Sequence, residues 1–163
     1  MMNQNSSGFL SSIPMVTKNL IIINLLFWVA SFVLPKVGID LVKDFYPFQF
    51  VTYMFMHDTH SFAHVLFNMF GVYMFGRVLE NVWGPKRFLT FYMVTGIGAG
   101  ITQELVWLYS VHSFASANGV TLAQLVAGDP SLNYLITIGA SGSVFGILLA
   151  FAMLFPNVPL YLM

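Results

Sequence analysis

The chain has 163 residues, six cations balanced by six anions, and a charged share of only 7% against 58% hydrophobic residues; a soluble domain carries about 25% charged residues. So few charges cannot clothe a water-facing surface, and zero net charge with no basic tract offers nothing to a nucleic-acid partner. With no cysteine, disulfides and thiolate metal sites are excluded as well.

Long apolar runs predict an all-α, polytopic transmembrane bundle in a single membrane domain, because a helix needs about 20 residues to cross about 30 Å of hydrocarbon. Residues 1–14 are polar and lack the basic start and the A-x-A site of a cleaved signal, so they read as a cytoplasmic N-terminus. The first span is predicted over residues 15–34, stopped by Pro35. Residues 36–60 hold balanced charges and then an aromatic stretch broken by Pro47, which reads as an interfacial or re-entrant loop.

The second span is predicted over 61–83, ending at Gly84-Pro85, and the third over 87–108. A polar loop over 109–133 leads to the fourth span, 134–155, which Pro156 ends. The short turn between spans two and three carries Lys86 and Arg87, whereas the 109–133 loop carries neither cation type. Cytoplasmic loops collect Lys and Arg, so the N-terminus and this turn are expected inside, although Lys36 and Lys43 in the first loop run against the rule.

Polar groups inside such spans are functional candidates by default. His64 and Asn68 stand four apart, hence on one helix face that Gly71 and Phe75 continue. They read either as a pair of aligned hydrogen-bond donors or as polar glue between helices. In "GASGSVFG", residues 139–146, Gly142, Gly146 and Ala150 form a small-residue stripe for close helix approach. The same glycines either pack or clear space around a reactive Ser141. Arg77 and Glu80, three apart, read as a mutual pair; Gly96, Gly98 and Gly100 read as packing positions; Gln103 and Glu104 are expected to reach water. His57, His60 and His64 with Asp58 lack the spacing of a zinc site, and no metal is expected.

Taken together, "FMHDTHSFAHVLFNMFGVYMFGRVLE" and "GASGSVFG" resemble the rhomboid family of intramembrane serine proteases. The family's His-xxx-Asn on its second helix is matched by His64 and Asn68, its Gly-x-Ser-Gly on the fourth by Gly139, Ala140, Ser141 and Gly142, and its second-helix Glu by Glu80. The resemblance implies that Ser141 is the nucleophile, that His64, Asn68 and the Ser141 backbone N–H serve the oxyanion, and that Ser143 only packs. It further implies a cofactor-free endopeptidase of Ser/His type in the lipid bilayer, a bacterial inner membrane being expected, with single-span membrane proteins as substrates. In the family the base is a histidine on a sixth helix. No histidine here matches it, so the base is expected to be absent from this chain, which reads as the first four helices of a six-helix core. The first loop lacks the family's frequent Trp-Arg pair. Two other classes compete: a rhomboid-like binder of transmembrane segments that does not cut, disfavoured by the retention of Ser141, His64 and Asn68, and a transporter or channel, disfavoured because no internal repeat is visible.

Overall fold

The computed structural model describes residues 8–33, 46–128 and 137–158, and every regular element among them is helical. Helix α1 is Met15–Ala30. A short helix α2, Gln49–Thr52, runs into a 3₁₀ turn, Tyr53–Phe55. Helices α3, Phe62–Gly71, and α4, Arg77–Trp83, are joined by a π turn, Val72–Gly76, into one continuous helix Phe62–Trp83. Helix α5 is Pro85–Ala117, α6 is Leu122–Gly128 and α7 is Ser141–Leu154. Among the described residues only Phe62–Trp83 is by itself long and apolar enough to cross a membrane, and α1 and α7 are shorter apolar helices.

Helices α1, α3–α4, α5 and α7 overlap the four stretches read as apolar helices, and their bounds differ at three points. Helix α5 continues nine residues beyond the expected end at Leu108, to Ala117. The polar stretch after Leu108 contains neither Gly nor Pro, so nothing stops the helix until Asn118 and Gly119, the latter at φ +66°. Helix α7 begins at Ser141, because Gly139 at φ +118° cannot belong to a right-handed helix. Helix α1 ends at Ala30, where Ser31 turns its hydroxyl back to the Phe27 carbonyl at 2.8 Å. The expected end of span one at Leu34, the cations Lys36 and Lys43, and the start of span four at Tyr134 lie outside the described residues.

Helix α7 is the central element, and the face of α3–α4 foreseen from spacing meets it turn by turn. A Cβ on Gly139 would come within 2.8 Å of His64 Nε2, and one on Gly71 within 2.7 Å of Val144 Cγ1. One turn on, the Phe75 and Phe151 rings meet edge to face at 4.9 Å. The opposite side of α7 packs on α5 through the small-residue stripe: Gly142 lies against Ala99, Gly146 against the Thr95 side chain, and the buried Ser143 hydroxyl donates to the Tyr92 carbonyl at 2.7 Å. The chain before α3 is wedged into this bundle. Buried Tyr53 and Met54 fill the space left by Gly100 and Gly96, and the Tyr53 hydroxyl donates to the Gly96 carbonyl.

Two polar groups find partners other than those read from spacing. The Glu80 carboxylate is buried and closes the N-terminus of α1, accepting the Val16 N–H at 2.9 Å, the Thr17 N–H at 2.7 Å and the Thr17 hydroxyl at 2.7 Å. It therefore does not pair with Arg77, whose guanidinium lies 5.2 Å over the Tyr73 ring. A helix N-terminus leaves its first N–H groups unpaired and carries partial positive charge, so an anion from another helix is a stronger partner than a solvated cation one turn away. Glu104 likewise is buried and accepts the Thr137 hydroxyl at 2.8 Å, where water had been expected.

Candidate active site

Ser141, His64 and Asn68 line one cavity of about 390 Å³, walled by Phe67, Phe145 and Leu148. Three local features bring them together. The positive φ of Gly139 turns the chain so that Ser141 is the first residue of α7, and the Gly139 N–H is tied to the Tyr53 carbonyl at 2.8 Å. The missing Cβ of Gly139 leaves room for the His64 ring. The i, i+4 spacing then sets Asn68 one turn below His64, its side-chain amide donating to the His64 carbonyl at 2.8 Å.

Both nitrogens of His64 have distinct surroundings. The Asp58 backbone N–H points at Nδ1 from 3.4 Å, so Nδ1 is the acceptor and Nε2 keeps the proton. That Nε2 is the atom facing Gly139, two residues before Ser141. His64 is backed by a second imidazole, His57, at 5.2 Å between ring centroids. His57 is buried, its Nδ1 lies 3.4 Å from the Phe55 carbonyl, and burial followed by the proximity of His64 lowers its pKa to about 4. It stands neutral behind the site.

A second cavity, about 410 Å³, opens on the other side of Ser141 and is lined also by Gly142, Tyr53, Gln103, Trp107 and Thr137. Gln103 had been assigned no chemistry from the sequence. The readable signal was its register: Ala99, Gln103 and Trp107 recur every four residues, so they share the α5 face that Gly142 packs against. His57 was legible as a residue near the motif but not as the support of His64, since its position depends on the loop between the two.

The predicted residues thus fall into two sets. Ser141, His64, Asn68 and Gly139 converge on one point, and Gly142 joins them from the packing side. Arg77, Glu80, Ser143 and Glu104 do not; each is engaged elsewhere. Among the described residues no imidazole hydrogen-bonds to the Ser141 hydroxyl, and no cluster of His, Asp and Glu is arranged to hold a metal. The arrangement offers a hydroxyl at a helix N-terminus, two side-chain donors beside it and cavities on both flanks.

Comparison with known proteins gives this geometry a context. The family model described as "Rhomboid domain" matches residues 44–162. The chain is similar to the RHOMBOID-like protein 12, mitochondrial, of Arabidopsis thaliana, with 27% identity over 126 residues, covering 77% of this chain and 35% of the relative. It is also similar to the Rhomboid-like protein 11, chloroplastic, of the same plant, with 27% identity over 132 residues, 78% of this chain and 38% of the relative. The chain therefore spans little more than a third of the length of these curated relatives. No solved structure matches it with the significance these two reach.

Proposed function

The chain belongs to the rhomboid family and is an integral membrane protein, and from that premise we propose that it carries the nucleophile and oxyanion site of an intramembrane serine endopeptidase. Ser141 Oγ attacks a peptide carbonyl of a transmembrane segment. The oxyanion that forms is met by His64 Nε2–H, the Asn68 amide and the Ser141 backbone N–H. Donors fixed in a water-poor site stabilise such charge by about 3 kcal/mol each. The single observation that supports this reading is the convergence of Ser141, His64 and Asn68 on one cavity, with the Nε2–H of His64 turned toward the loop that delivers Ser141.

Attack requires a base for the Ser141 proton. His64 is committed as a donor and His57 points its Nδ1 at a backbone carbonyl. His60 is exposed in the loop, and His112 is exposed near the far end of α5. We assign the base to none of them. The common placement of the α1 N-terminus and the 84–87 turn at one end of the bundle, through Glu80, supports a shared cytoplasmic side for both. The substrates in this reading are single-span membrane proteins, and the membrane is a bacterial inner membrane.

The test is cleavage of a model single-span substrate co-expressed in membranes with the protein in its native form. Cleavage lost on Ser141→Ala supports the proposal. Unchanged cleavage in that variant overturns it, and binding without cleavage in the parent protein favours the non-cutting alternative.

A further inference from the structure

Helix α5 carries a buried acid that the chemistry above leaves unused. Gly96, Gly100 and Glu104 recur every four residues, so they share one face of α5. On that face Tyr53 lies across the two glycines: a Cβ on Gly100 would come within 2.9 Å of its ring, and its hydroxyl donates to the Gly96 carbonyl. Glu104 is the next residue along this face. It is buried, and it accepts the Thr137 hydroxyl at 2.8 Å.

A buried carboxylate is costly unless it is hydrogen-bonded, and an apolar side chain would fill the same place without that cost. What Glu104 holds is therefore informative. Thr137 stands two residues before Gly139 and four before Ser141. Between them the chain passes through the positive φ of Gly139, and glycine has the widest choice of backbone conformations of any residue. Two bonds remove that choice. The Gly139 N–H is fixed by the Tyr53 carbonyl at 2.8 Å, and Thr137 is fixed by Glu104. Tyr53 and Glu104 both rest on α5, the helix against which Gly142 and Gly146 of α7 pack. The segment leading to Ser141 and the helix bearing it thus share one support.

We propose that Glu104 is a positioning residue: acting through the Thr137 hydroxyl, it holds residues 137–139 so that Ser141 is presented to His64 and Asn68. This rests on the assignment of Ser141 as the nucleophile. Thr137 lines the cavity beside Ser141, whereas Glu104 lines neither of the two cavities there and acts only through its partner. A nucleophile displaced by about 1 Å loses rate by up to about 100-fold. Substrate binding along the helices is left in place.

The test combines hydrogen exchange over residues 138–142 with steady-state cleavage, both on the protein in its native form in lipid nanodiscs. Thr137→Val and Glu104→Ala are each expected to speed exchange of the Gly139 N–H at least about tenfold, and to lower kcat at least about tenfold with KM little changed. Thr137→Ser keeps the donor and Glu104→Gln keeps an acceptor, so both should return close to the parent in the two readouts. Thr137→Val added to Glu104→Ala should change neither readout further, since each removes the same bond. Exchange at the Val16 and Thr17 N–H groups, held by Glu80, should stay at the parent rate throughout, which separates this loop from general loosening. If Glu104→Ala loosens those groups as well, Thr137→Val decides. Cleavage that survives Ser141→Ala would refute the nucleophile assignment, and exchange alone would then decide whether Glu104 holds the loop. Gly139 exchange unmoved by Thr137→Val, additive losses in the double variant, or a Thr137→Ser no better than Thr137→Val would each overturn the proposal.

Discussion

A histidine can serve an oxyanion only through a nitrogen that carries a proton, and at His64 that choice is made by the backbone. The Asp58 N–H takes Nδ1, which leaves Nε2–H for the site. Replacing His64 or Asn68 with Ala removes one donor each, and kcat is expected to fall by about 100-fold or more per donor with KM little changed; steady-state cleavage of a fluorogenic transmembrane substrate measures both. A rise in KM alone would make these residues binding contacts. His57 yields a different prediction. Its folded pKa, about 4, lies below the ordinary 6.5, so the neutral form stabilises the fold above pH 6.5 and that contribution is lost as pH drops toward 4. The loss reaches about 3 kcal/mol, seen as a falling melting temperature in detergent between those pH values, and His57→Gln should flatten the slope. At this scale the grouping of His64, Asn68 and Ser141 around one cavity was legible in the sequence, because spacing and motif set it. Glu80 was misassigned, since the nearest cation in sequence is local information and its true partners are 63 and 64 residues away.

Helix α7 starts where it does because Gly139 is turned the wrong way for a helix, and this one residue makes Ser141 the first residue of α7. Gly139→Ala both strains a backbone at φ +118° and drives a Cβ to 2.8 Å from His64 Nε2, so catalysis should suffer more than folding. The stripe on the other side of the helix behaves differently. A Cβ at Gly142 would run into Ala99, and one at Gly146 would sit 2.8 Å from Thr95. Gly142→Val is therefore expected to separate α7 from α5 and destabilise the bundle by about 1–3 kcal/mol, read as a lower melting temperature with faster proteolysis of α7. Small-residue stripes and i, i+4 faces are periodic, so these contacts were legible in the sequence itself. The end of α5 was not: Tyr109 to Ala117 is polar enough to read as loop, yet it lacks a helix breaker until Gly119.

At the level of the whole molecule, one carboxylate ties the first helix to the end of the second. Glu80→Ala leaves two N–H groups of α1 and the Thr17 hydroxyl without their acceptor, and about 3 kcal/mol of stability should go with it. Detachment of α1, followed by hydrogen exchange at Val16 and Thr17, distinguishes this from a general loosening. The helical class and membrane character were legible from composition alone, since 7% charge leaves few other folds. The wedge of Tyr53 and Met54 into the α5 glycines was not, because an aromatic run broken by proline has no period to read. Everything proposed for the chemistry depends on Ser141 being the activated hydroxyl of the native membrane protein. Labelling with a fluorophosphonate probe, with the modified peptide located by mass spectrometry, tests this most directly. The adduct is expected on Ser141 and absent from Ser141→Ala, while Ser143→Ala still labels; an adduct on another serine, or undiminished labelling of Ser141→Ala, would contradict it.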